Sequence, residues 1–354
     1  MYSIKIFSRL KRAFLFHSFP EALRPYRASL LLTKKCNLKC LMCSFADPDY
    51  YKNRNDLSTD EWITIIDQLY AFGIKDLNFQ GGECLLRTDI DELISYAKNN
   101  LHAFTTLTTN GILLKKKKKV LENIDRLIVS IDSLLPETHD MIRGRTGLLD
   151  MVLENISEIK DIPGRINIAS IIHKLNLDNL DLLMDYAVKN GFEISFTPIA
   201  EDTVENSARY VENLNPYSDG SNTIQEIKLK RLLRRRYSPT NFKRVQFILD
   251  RGNKIKNQQL TNITVRPCNA MNNFLLVMFD GLVYPCCGNM PQTGDLKKDN
   301  INTLWNSDSY RKLRRASRKG DHPICRKCMH IETEYLFPEI FEELIARLTG
   351  CKGI

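Results

Sequence analysis

An α/β fold of parallel βα units is what this 354-residue sequence predicts, and three observations predict it. β-rich runs alternate with helical patterns from about residue 28 to residue 200. Glycines punctuate the turns at Gly73, Gly111 and Gly191. The residues with chemical potential fall just after strands, and parallel βα folds gather their functional groups at the C-terminal strand ends.

The elements follow in order. The N-terminal stretch 1–27, MYSIKIFSRLKRAFLFHSF at its start, is basic and apolar. Arg9, Lys11 and Arg12 break its hydrophobic run and no small-residue cleavage site follows, so it reads as a leader helix and not as a signal peptide. A basic amphipathic helix of this kind also allows contact with a membrane surface. Strands are predicted at 29–33, 76–80, 104–108, 127–131, 166–172 and 193–197, with helices at 58–72, 88–100, 113–123, 146–160 and 178–190. Ser58 and Glu61 form a capping box at the start of the first of these helices. The run Lys115–Lys119 points all round its helix, which marks a solvated face and not a phosphate clamp. Residues 201–262 break the rhythm as a basic connecting segment, and 263–335 carry a short β pattern (FLLVMFDGLVYPC) with the later cysteines. Residues 336–354 read as an amphipathic packing helix.

Composition bounds the function. Hydrophobic residues at 43% and charged residues at 26% are ordinary globular usage, which excludes a disordered or collagen-like chain. No stretch approaches the ~20 apolar residues of a membrane span, so the expected compartment is the cytoplasm. The net charge is +9. Eleven basic residues against two acids between 224 and 257 equal that whole excess. Such a patch suits an anionic small molecule, an acidic peptide or nucleic acid, or is simply a solvated face.

The ten cysteines are the strongest signal. None lies between Cys84 and Cys268, so they form two groups, and a reducing cytosol favours metal ligation over disulfides. Cys36, Cys40 and Cys43 lie close enough along one loop to reach a single soft metal centre, but they supply only three ligands. Structural zinc wants four, whereas a cubane iron–sulfur cluster on three cysteines keeps one iron open. Cys268, Cys286, Cys325 and Cys328 could close a second site completely, and a four-cysteine zinc ribbon stays open as its alternative. Cys287 and Cys351 are expected to be uninvolved.

Taken together, CNLKCLMC after the first strand, Gly81-Gly82-Glu83 after the second, TTNG after the third and SIDS after the fourth resemble the radical S-adenosylmethionine (radical SAM) enzymes. HDMIRGRTGLLDMVLENI resembles the matching stretch in peptide-maturing members. The later run, from CNAMNNFLLVMFDGLVYPCCGNM to CRKC, is similar to their C-terminal SPASM or twitch extension. The resemblance implies a partial (βα)6 barrel over 28–200 and a small twitch-like auxiliary-cluster domain over 263–335. It implies a [4Fe–4S] cluster on Cys36, Cys40 and Cys43 that binds S-adenosylmethionine (SAM). It also implies an auxiliary [4Fe–4S] cluster on Cys268, Cys286, Cys325 and Cys328. This pattern departs from the enzyme that makes the first cyclic pterin of molybdenum cofactor, whose auxiliary cluster has three cysteines and whose tail is glycine-rich.

The activity so implied is reductive cleavage of SAM to a 5′-deoxyadenosyl radical that abstracts hydrogen from substrate. Dehydrogenation or epimerisation of a sugar or aminocyclitol, or modification of a peptide, are the expected outcomes. The auxiliary cluster would carry electrons, and a reductant such as flavodoxin or ferredoxin would supply them. Glu83 is the expected acceptor for the SAM ammonium, with Gly81 and Gly82 allowing close backbone approach. Asn110, Ser130 and Asp132 sit where polar groups could meet the ribose or methionine moieties, and Arg143 could pair the carboxylate. Cys84, where the family usually has proline, could offer a hydrogen atom to a substrate radical, though a small tolerated residue is the plainer reading. The rivals are a zinc-binding nucleic-acid module and a non-catalytic iron–sulfur electron carrier. The zinc module leaves Gly81-Gly82-Glu83 and the third cysteine of the first group unexplained, and the electron carrier would bind iron but leave SAM untouched.

Overall fold

The computed structural model describes residues 23–47, 49, 51–159, 165–198, 268, 270–286 and 290–327. The N-terminal leader before residue 23, the basic segment 224–257, the C-terminal helix, Cys287, Cys328 and Cys351 lie outside the described residues.

Six parallel strands form as the periodicity predicts: β1 (Arg27–Leu31), β2 (Asp76–Gln80), β3 (Phe104–Thr109), β4 (Arg126–Ser130), β5 (Arg165–Ile172) and β6 (Glu193–Pro198). They lie in sequence order within one sheet, β6-β5-β4-β3-β2-β1. The helices between them are α1 (Thr59–Phe72), α2 (Ile90–Ser95), α3 (Lys118–Leu121), α4 (Pro136–Arg143), α5 (Leu148–Ser157) and α6 (Leu180–Lys189). In α1 the capping box forms in both directions, with Ser58 N–H donating to Glu61 (2.8 Å) and Glu61 N–H donating to the Ser58 hydroxyl (3.3 Å). The helix stops at Gly73, whose φ of 115° suits a residue without Cβ. Its Trp62, Ile65, Ile66, Leu69 and Phe72 are buried. The helix predicted at 88–100 finishes as a π turn over Tyr96–Asn100, and that at 113–123 is a 3-10 turn leading into the short α3. Sequence periodicity missed α4, which has Pro136 in its first turn and ends at Gly144 with φ 72°.

The sheet does not end at β1. After the α7 turn (Ala270–Asn273), β7 (Phe274–Val277) pairs with β1 in parallel, and β8 (Leu282–Tyr284) and β9 (Gly294–Asp295) follow antiparallel. The C-terminal cysteine region is thus continuous with the barrel sheet. Beyond it lie α8 (Ile301–Asn306), α9 (Asp308–Lys319) and α10 (Pro323–Lys327).

The alternation within the strands positions the site. Leu30, Leu77, Phe79, Leu107, Leu127, Val129 and Ile168 are buried in the main core. The strand register brings Ser29, Asn78, Thr106 and Arg126 side by side, and Thr108, Ile128 and Asn167 beyond them, onto the opposite face. Hydrogen bonds run across that face from Asn78 to Ser29 (3.4 Å), from Thr108 to Asn78 (2.9 Å) and from Ser195 to Asn167 (2.8 Å). A parallel sheet packed on both sides would be apolar throughout. This one keeps a largely polar face.

Candidate functional site

The site is built from the cysteine loop that leaves β1, and neighbouring strand ends hold that loop at successive points. Thr33 O accepts from Gly82 N–H and Lys35 O from Glu83 N–H, both at 2.8 Å. A Cβ on Gly82 would lie 2.3 Å from Lys35 O, so only glycine lets the two backbones approach this closely. Asn37 accepts from the Asn110 side-chain amide at 2.8 Å. Leu41 N–H donates to Ile142 O at 2.9 Å, and a Cβ on Gly144 would lie 2.5 Å from Lys39 O. Past the last cysteine, Phe45 and Tyr51 pack at 5.1 Å, and Tyr51 packs at 5.1 Å on Phe279 beside β7. Arg54 stacks on Phe279 at 4.9 Å and ion-pairs Asp280.

The held loop opens onto a cavity of about 280 Å3 at the C-terminal strand ends. Cys36, Cys40 and Cys43 line it with Gly81, Gly82, Asn110, Ser130 and Arg143. Eight sequence-predicted residues therefore meet at one place. Burial is the first cause raising the pKa of each thiol; repulsion from neighbouring cysteines adds to it at Cys36 and Cys43, which reaches about 11, while at Cys40 Arg143 lowers and Asp132 raises it. Protonated thiols give up their protons when a metal takes their place. Among the described residues no three His, Cys, Asp or Glu side chains converge on a point suited to one ion. A cubane, whose irons occupy separate corners, needs no such convergence, so the thiol trio fits a three-cysteine iron–sulfur cluster.

Two expected cofactor contacts do not reach the cavity. Glu83 is 1% exposed, and its carboxylate accepts from Leu85 N–H (3.1 Å), the Thr109 hydroxyl (2.9 Å) and Asn110 N–H (2.8 Å). Burial pushes its pKa up, and the bonds from Asn110, Leu85 and Thr109 pull the other way. Its visible work is to fix Asn110, which in turn holds Asn37. Asp132 is fully buried, accepts from Ile171 N–H at 3.0 Å and lies 2.7 Å from Nε of Arg143. Burial alone would lower the Arg143 pKa, but Asp132 and Cys40 outweigh it and raise it. Cys84 is also buried, with its thiol directed at Thr108 O (3.4 Å) and Phe79 O (3.8 Å), and it is absent from the cavity lining. That placement favours the small tolerated residue over the hydrogen-atom donor.

Sequence motifs missed other participants. Gln80 and Thr108 line the cavity from the polar strand face, and Leu38, Met42, Phe45 and Ile171 supply apolar walls. The alternation in DLNFQ and FTTLTT carried that signal. Buried His139 and His173 flank Asp132: Asp132 N–H donates to His139 Nδ1 (3.2 Å), and burial lowers both histidines to about 4. Of the second cysteine group, Cys268, Cys286 and Cys325 are described and free of disulfides. Ser317 of α9 donates to Cys268 O at 3.3 Å, and Tyr310 of the same helix feels the charge of Cys286.

The radical SAM superfamily model matches residues 30–187, and that of the SPASM iron–sulfur cluster-binding domain matches 268–329. A probable GTP 3′,8-cyclase of Methanococcus maripaludis is 35% identical over 182 residues, which are 49% of this chain and 58% of that relative. The match therefore spans little more than half of that relative's length. A probable GTP 3′,8-cyclase of Methanocaldococcus jannaschii is 30% identical over 282 residues, 76% of this chain and 86% of the relative. Among solved structures, Streptococcus suis SuiB bound to S-adenosylmethionine superposes with a TM-score of 0.60. It is 19% identical, with 88% of this chain and 73% of SuiB covered, a likeness of fold.

Proposed function

The chain belongs to the radical SAM superfamily, with a SPASM-type iron–sulfur domain after its barrel, and from that premise we propose that it takes a hydrogen atom from its substrate after reductive cleavage of SAM. One observation carries this reading: the three loop thiols line a single cavity with Gly81, Gly82, Asn110 and Ser130. When bound, the iron–sulfur cluster with SAM would supply a 5′-deoxyadenosyl radical by one-electron reductive cleavage. The chain's own residues do the rest. Cys36, Cys40 and Cys43 release their protons and hold iron. Asn110, Ser130 and Thr108 offer amide and hydroxyl groups to the polar parts of SAM, while Leu38, Met42, Phe45 and Ile171 exclude water from the reacting centre. Glu83 and Asp132 support this wall from behind.

For the substrate, the four later cysteines would hold a second, closed cluster able to accept the electron that dehydrogenation of a sugar or aminocyclitol gives up; epimerisation or peptide modification draws on the same radical. An external reductant such as flavodoxin or ferredoxin supplies the first electron. A second reading, cyclisation of GTP, is favoured by the names of the archaeal relatives. The test is anaerobic reconstitution, iron counting and assay of 5′-deoxyadenosine after reduction. About eight irons per chain and SAM cleavage are expected; iron without cleavage overturns the proposal. Cleavage stimulated by GTP alone selects the second reading, and stimulation by an aminocyclitol or peptide the first.

A further inference from the structure

We propose that Arg143, braced by Asp132, tunes the first cluster electrostatically: its guanidinium shares the wall of the cavity with the Cys40 thiol, and its fixed charge raises the cluster's reduction potential before SAM arrives. The inference rests on Cys36, Cys40 and Cys43 being the cluster ligands.

The geometry starts at the end of α4. Two residues there grip the middle of the cysteine loop, Ile142 O accepting from Leu41 N–H and Gly144 abutting Lys39 O, and Arg143 between them lines the cavity together with Cys40. Cys40 is thus held by backbone on both sides, and the Arg143 charge acts on its thiol. Arg143 is only 9% exposed and Asp132 is fully buried. Asp132 is fixed at every polar group. One carboxylate oxygen faces Arg143 and the other accepts from Ile171 N–H, its own N–H goes to His139, and its carbonyl accepts from Asn176 at 2.9 Å. A guanidinium tied to so constrained a carboxylate cannot swing freely into the cavity.

The charges decide the sign. His139 and His173, packed around Asp132, are lowered to about 4 by burial and are neutral near pH 7. The pair is therefore an oriented dipole with its positive end on the cavity side, where Arg143 acts on Cys40 more strongly than Asp132 does. Hydrogen bonds to cluster sulfurs and nearby charge both set the potential of an iron–sulfur centre. Weak screening in a buried setting strengthens the effect. A positive end at the thiolate stabilises the reduced cluster, which carries one more negative charge. Arg143 is on this account a positioning residue that acts through Cys40.

The test is an EPR-monitored redox titration of the reconstituted full chain without SAM; the first cluster is identified as the one whose signal changes when SAM is later added. Arg143→Gln should shift that cluster to more negative potential by about 59 mV, a tenfold rise in its oxidised-to-reduced ratio at fixed potential. Arg143→Gln/Asp132→Asn, which removes both ends of the dipole, should shift it less. Arg143→Lys should restore most of the wild-type value. An unmoved potential with weakened SAM binding makes Arg143 a SAM contact and overturns the proposal. So does failure of all three variants to hold iron while wild type does, which assigns Arg143 a purely structural role. If wild type itself binds no iron at the first group, the underlying ligand assignment fails instead.

Discussion

The two cysteine groups are assembled in opposite ways. Cys36, Cys40 and Cys43 lie on one short loop, and the ends of β2, β3 and α4 hold it through Gly82, Asn110 and Ile142. Cys268, Cys286 and Cys325 come from three separate pieces of chain: before α7, after β8 and within α10. The β7–β8 hairpin and α9 would have to form before those thiols could share one cluster. The first site is therefore a property of local chain spacing, and the second a property of tertiary packing.

Removing one thiol from each group should break the comparison most sharply. Cys40→Ala is expected to lose the first cluster's iron and at least about 1,000-fold in SAM cleavage, about 4 kcal/mol of barrier. Cys325→Ala should lower the iron count while leaving SAM cleavage within a few-fold, and should stop formation of oxidised product. Iron analysis with 5′-deoxyadenosine and product assays reads both.

Next in size is a pH effect confined to the first region. His139 and His173 have folded pKa values near 4 against a usual 6.5, so the unfolded chain binds more protons between these values. Stability is full above about pH 6.5 and is lost as pH falls towards 4, by about 3 kcal/mol per histidine. Urea denaturation of the iron-free chain at pH 7.5 and pH 4.5 measures it. A His139→Gln/His173→Gln variant with the same pH slope would refute this assignment.

Backbone crowding sharpens the contrast between the regions. A Cβ on Gly82 meets the Lys35 carbonyl, which is backbone, whereas one on Gly294 meets a Leu304 methyl, which can turn aside. Gly82→Ala should cost about 3 kcal/mol and reduce iron at the first group, and Gly294→Ala about 1 kcal/mol with iron unchanged. Equal losses in thermal unfolding would erase the distinction. The smallest effect is expected from Cys84→Ala: solvent deuterium uptake into product unchanged and turnover within twofold of wild type, because the thiol faces Thr108 O and not the cavity.

The barrel strands were legible because their apolar positions alternate or cluster between glycine turns, and the first cysteine group because its spacing is local. Glu83 shows where such reading stops. A motif identifies the residue but not the direction of its carboxylate, which here turns towards Thr109 and Asn110, partners 26 and 27 positions away. Asp132 and Arg143 were each singled out separately, yet their mutual ion pair depends on α4, an eight-residue helix whose proline start hid its period. The polar stripe from Ser29 through Asn78 to Thr108 was visible in the alternation, but it became a surface only once the strand register aligned it.

Because β7 docks directly onto β1, the strand that launches the cysteine loop has a neighbour on each side. A form cut before residue 268 would strip one neighbour away and bare a row of unpaired amides and carbonyls along β1. Exposed strand borders of that kind recruit other chains. An excised barrel is therefore expected to aggregate before it can be tested for chemistry, and a usable minimal fragment must carry the hairpin with it.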